Sequence, residues 1–92
     1  MTNNTYTVNA DLSDLMELSG LPWYPTRWGK AQIDLPDDDN TIRVSEDDGT
    51  FYVVALSGGS AELIHTEARF SGIAAQALVL ATLDALMLEL SL

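Results

Sequence analysis

A chain of 92 residues, 47% of them apolar, is long enough for one domain with a single hydrophobic core and too short for two. With no cysteine, a disulfide framework, a thiolate zinc site and a cysteine nucleophile are all excluded, a composition that suits a reducing cytoplasm. Fourteen acids against four bases give a net charge of −10, which repels nucleic acid and anionic lipid over a Debye length of about 10 Å and so argues against direct binding to either.

The opening MTNNTYTVNADLSD has no basic segment and no apolar run, so it does not read as a signal peptide. Tyr6 and Val8 suit either a short edge strand or a mobile end. Asn9 or Asp11 is a suitable cap for a helix running to about Ser19, with Gly20 as its stop and Pro22 beyond. Leu12, Leu15 and Met16, joined by Leu18, are expected on its apolar face. Asp11, Asp14 and Glu17 share the other face, either as a solvated surface or as a second acidic patch.

In LPWYPTRWG two prolines exclude a regular helix. Trp23 and Trp28 are expected to lid the core edge, with an exposed interface anchor as the alternative. Lys30 to Leu35, Thr41 to Glu46, Thr50 to Ser57 and Ala61 to Glu67 read as strands, the middle pair joined through Asp48-Gly49, a strong hairpin signal. TFYVVALS is apolar on both faces and is expected in the middle of the sheet under a helix. Short connections favour a meander.

From Ser71 a helix of roughly twenty residues, about 30 Å long, is expected. Ile73, Val79, Leu80, Leu83, Leu86, Met87 and Leu90 would form its buried stripe. Its outer side would be covered by the first helix or by another subunit, making the protein a monomer or a weak homodimer. Asp84 and Glu89 argue against a membrane span. The expected fold is therefore a single α+β domain over residues 1–92: three to four antiparallel strands, a short N-terminal helix and a long C-terminal one packed on the sheet.

Signals for catalysis are thin. His65 is the only histidine and shares an expected strand face with Leu63 and Glu67. Ser57-Gly58-Gly59-Ser60 lacks the spacing of a nucleophile elbow and the lysine of a phosphate loop. An EF-hand frame starting at Asp37 places Ile42 where that loop requires glycine. A looser hard-cation site on Asp37, Asp38 and Asp39 remains an alternative. The expectation is a binding protein without catalytic residues, cofactor or required metal.

The strongest feature is DLPDDDNTIRVSEDD, residues 34–48, which holds seven of the fourteen acids and one base, Arg43. Asp34, Asp37, Asp38 and Asp39 would lie at one end of the Thr41 to Glu46 strand, and Glu46, Asp47 and Asp48 about 20 Å away at the other. The expectation is a row of charge along one sheet edge. Same-face strand residues recur every ~6.7 Å, close to two ~3.4 Å phosphate steps of a DNA strand. Such a row suits a positively charged protein groove, with Asp11, Asp14 and Glu17 as a secondary patch.

A cysteine-free chain of this size and acidity, with acidic turns on a small sheet and the closing stretch ARFSGIAAQALVLATLDALMLEL, resembles phage-encoded anti-CRISPR proteins, most of all the small acidic inhibitors of type I-C systems. The resemblance implies a DNA mimic that occupies the PAM-reading site on the large subunit of a type I surveillance complex in the cytoplasm of a bacterial host. The alternative is an acidic interaction module of a phage or bacterial assembly, antitoxin-like or regulatory, without DNA mimicry.

Overall fold

Asn9 sits in extended backbone, and its Oδ1 accepts the Leu12 amide at 2.8 Å, satisfying one of the donors that a helix start leaves free. Helix α1 follows over Ala10–Ser19 and ends where Gly20 turns left-handed (φ 69°), its amide closing on the Glu17 carbonyl. The protein's structure, a computed structural model, describes residues 6–35, 40–57 and 63–91.

Strands β1 (Tyr24–Pro25), β2 (Ala31–Asp34), β3 (Thr41–Asp47), β4 (Thr50–Ser57) and β5 (Leu63–Phe70) form one antiparallel sheet in chain order, and α2 (Ala75–Ser91) closes the chain. This is the expected α+β meander, with five strands rather than three or four. The additional strand is β1, where Tyr24 and Pro25 pair with Gln32 and Ala31. Proline is tolerated there because β1 is an edge strand.

Two left-handed residues, Asp48 (φ 52°) and Gly49 (φ 85°), connect β3 to β4 and are closed by the Asp47/Thr50 pair. That is the two-residue turn whose twist matches a hairpin, and glycine carries the larger positive φ without penalty. β5 runs on to Phe70 rather than ending at Glu67, and its register with β4 shifts after Ala55, leaving His65 without an opposite residue. Helix α2 starts four residues after Ser71 because Gly72 takes φ 89° and bonds through its carbonyl to the Ala75 amide.

Strand alternation sends Ala31, Ile33, Ile42, Val44, Phe51, Val53 and Ala55 to one face, where they pack against Leu12, Leu15 and Met16 of α1 and Ala75, Val79, Leu83 and Leu86 of α2. Helix α1 lies over β2 and β3, α2 lies over β4 and β5, and the helices touch each other. Leu80 and Met87 pack partly against the same core, as their place in the stripe required. Three expectations fail at its margins. Leu18 is 69% exposed because it falls off the Leu12/Leu15/Met16 face, and Ile73 is fully exposed because it precedes the helix. Trp23 packs on the core edge, whereas Trp28 lies in the β1–β2 turn and is 68% exposed.

Among the described residues, no helix is long and apolar enough to cross a membrane. Leu83 is wholly buried and Leu88 is exposed, so Leu83→Ala is expected to remove about 2–5 kcal/mol of unfolding free energy. Leu88→Ala should stay within about 0.5 kcal/mol of the parent. Urea melts with unchanged slope would measure both.

Candidate functional site: an acidic interaction surface

β3 is the middle strand of five, so its ends lie at opposite ends of the sheet and not along an edge. The expected row at a sheet edge is thereby corrected: the edges are β1 and β5. Asp37, Asp38 and Asp39, with the cation site considered for them, lie outside the described residues, as do Gly58 to Ser60 and the side chain of His65. Leu35 and Asn40, which flank the aspartates, are joined by a Leu35 amide to Asn40 carbonyl bond of 3.1 Å.

Asp34 is exposed but engaged. The antiparallel register sets Tyr24 beside Gln32, Gln32 beside Arg43 and Asp34 beside Thr41, all on the face that the helices leave open. Arg43 Nε donates to Gln32 Oε1 at 2.9 Å, while Gln32 Nε2 donates to Tyr24 Oη at 2.7 Å and to Asp34 Oδ1 at 2.9 Å. Tyr24 Oη completes the chain by donating to Asp34 Oδ2 at 2.6 Å, with Thr41 Oγ1 adding a 3.3 Å bond to Oδ1. The tyrosine hydroxyl holds the Asp34 carboxyl below its ordinary 3.8, with Gln32, Thr41 and Arg43 acting the same way against partial burial. The same bond raises the Tyr24 hydroxyl above its ordinary 10.0.

Glu46 is also committed internally. Its position opposite Phe51 directs it toward the helix layer, where Oε1 accepts Asn9 Nδ2 at 2.7 Å and Oε2 accepts the Gly49 amide at 2.8 Å. Asn9 thus caps α1 with its oxygen and clasps the hairpin with its nitrogen.

That clasp brings two groups of acids together. Asp47 and Asp48 lie at the hairpin tip, exposed to solvent, and α1, with exposed Asp11 in its first turn, follows directly on the Asn9 that is bonded to Glu46. Asp14 and Glu17 continue along the exposed side of α1 at axial steps of ~4.5 Å. The Asn9–Glu46 bond thus fastens the hairpin that carries Asp47 and Asp48 to the helix that carries Asp11, Asp14 and Glu17, so the acids that the sequence separates into primary and secondary patches lie on two bonded elements. Neither a family model, nor a curated protein, nor a solved structure matches the chain.

The β1–β2 turn lies at the same end of the sheet as Asp48-Gly49, because Ala31 aligns with Val44 and Val53. There the Arg27 guanidinium stacks 5.3 Å from the Trp28 ring centroid. Thr26 Oγ1 holds the turn by accepting the Trp28 and Lys30 amides. Among the described residues no three His, Cys, Asp or Glu side chains converge as a metal site. The sequence marks Asn9 as a cap but not as the clasp on the hairpin, and it does not mark Tyr24 or Gln32 as positioning residues. Their partners lie 37, 10 and 11 positions away in the chain and become neighbours only through the register.

Two outcomes follow. Since Asp34 is depressed and Tyr24 raised, their bond stabilises the fold between about pH 4 and pH 10. It is lost as pH falls through the Asp34 value and as pH rises through that of Tyr24, so Tyr24→Phe should be less stable at neutral pH and converge with the parent at both extremes in a pH series of urea melts. Asn9→Ala is expected to cost about 1–2 kcal/mol through the lost cap. Asn9→Asp keeps the cap but sets a carboxylate against Glu46, so its thermal midpoint should recover as pH is lowered through the carboxylate range.

Proposed function

We propose that the protein acts by stoichiometric binding rather than turnover, its acidic surface entering the positively charged groove in which a partner protein holds nucleic acid. The observation that carries this reading is that five exposed acids, Asp47 and Asp48 on the hairpin and Asp11, Asp14 and Glu17 on α1, lie on two elements that Asn9 joins through Glu46. Like charges gathered on one small domain repel one another, and on a cationic partner that repulsion is exchanged for Arg–carboxylate pairs and steered association.

The resemblance to anti-CRISPR proteins supplies the partner in this proposal: the large PAM-recognising subunit of a type I surveillance complex, of the type I-C class. A carboxylate surface in the PAM-reading site excludes duplex DNA by occupying the same cations. Asp34 and Glu46 serve a different end in this reading, since both of their oxygens are used to build the domain. Asp37, Asp38 and Asp39 belong to the proposed surface through the charge pattern alone.

The test is competition between the protein and a PAM-containing duplex for a purified type I-C surveillance complex. The native chain should displace DNA at one inhibitor per complex and less well as salt rises. Asp47→Lys with Asp48→Lys, or Asp11→Lys with Asp14→Lys, should each weaken binding at least about ten-fold, equal to ~1.4 kcal/mol, with the melting temperature nearly unchanged. Undiminished binding by both double variants overturns the electrostatic reading, and no binding by the native chain overturns the partner.

A further inference from the structure

Strand β5 closes the sheet on one side, and among the described residues no other strand pairs with its outer edge. Its regular part, Thr66 to Phe70, follows the register shift and pairs with β4 without interruption. An unpaired edge of this kind presents a row of backbone donors and acceptors to any incoming strand. Natural edges are protected by charged side chains, proline or bulges; here the irregularity lies at His65, before this segment, and the charges within it are one acid and one base, Glu67 and Arg69, two residues apart on the open face and both exposed.

We propose that the β5 edge is a self-association surface on which a second copy of the chain adds its own β5 antiparallel, about a two-fold axis through Ala68. In that register residue numbers in each opposed pair sum to 136, so Glu67 of each copy faces Arg69 of the other. Shifting the axis by one residue to Glu67 opposes two glutamates, and shifting it to Arg69 opposes two arginines. Like charges directly opposite are unfavourable and opposite charges favourable, so these two side chains select one register and disfavour its neighbours.

The symmetry is self-consistent, as an isologous contact requires. An axis through a residue keeps like faces together, giving a continuous ten-stranded sheet with the four helices on one side. Arg69 is one of only four bases in a chain of net charge −10. The edge lies two strands, ~10 Å, from β3 and its acidic tip, about one Debye length at moderate salt. A second copy is thus met at a place where charges pair. The pairing leaves Asp47, Asp48 and the acids of α1 free, so each dimer would carry two acidic surfaces.

Sedimentation velocity on the purified chain, from low to high micromolar concentration, tests the proposal with charge variants at exposed positions. The native protein is expected to show a monomer–dimer equilibrium. Glu67→Arg alone and Arg69→Glu alone should each weaken homodimerisation at least ten-fold. Glu67→Arg with Arg69→Glu in one chain should restore it, and mixing the two single variants should give a heterodimer. A native chain that stays monomeric throughout overturns the proposal. So does a dimer indifferent to all three variants, which would place the contact elsewhere, for instance on the exposed Leu78 and Leu88 of α2. Circular dichroism melts of each variant separate loss of pairing from loss of fold.

Discussion

Two helices of 10 and 17 residues cover one face of a five-stranded sheet and leave its other face open. Most of the architecture follows from that one-sided burial. On the covered face the strands place wholly buried Ala31, Ile33, Ile42, Val44, Val53 and Ala55, while their alternate residues on the open face include Gln32, Asp34, Arg43, Glu67 and Arg69. The open face still needs its charged groups compensated. The chain from Arg43 through Gln32 and Tyr24 to Asp34 does this with each donor aimed at the next acceptor, a cation at one end and a carboxylate at the other.

The same constraint divides the acids into two kinds. Asp34 and Glu46 sit within the sheet, where a carboxylate without donors would oppose pairing, and each is supplied with donors on both oxygens. Asp47, Asp48, Asp11, Asp14 and Glu17 lie on a turn and a helix exterior, where high dielectric tolerates them and where another molecule has access. Charge density along the chain does not distinguish these kinds. Strand register and the direction of each side chain do.

Elements with strong local physics were legible from the residues. Asp48-Gly49 demanded positive φ at two successive positions, so the hairpin and its register followed. Leu12, Leu15 and Met16 at helical spacing marked a buried face, as did Val79, Leu83 and Leu86. Leu18 and Ile73 are apolar without being buried, because one lies off the stripe and the other precedes the helix. β1 is two residues long and contains proline, so no periodicity could announce it. With β1 hidden, Tyr24 could not be connected to Asp34. The edge placement of the acidic row has another cause: β3 is an interior strand in a four-strand meander as much as in the five-strand sheet, so its two acidic ends belong to opposite ends of the sheet whether or not β1 is counted.

The Asp48-Gly49 turn has a chemical consequence of its own. Among aspartyl sequences, one followed by glycine is the most open to ring closure, in which the glycine's backbone nitrogen attacks the side-chain carboxyl with loss of water and hydrolysis of the imide gives isoaspartate. That product lengthens the main chain by one methylene and would disrupt a two-residue turn. Here the Gly49 amide is held at 2.8 Å by Glu46 Oε2, and a neighbouring carboxylate opposes the loss of the amide proton that the attack requires. The glutamate that fastens the hairpin to α1 is therefore also the group that engages the nitrogen on which that ring closure depends.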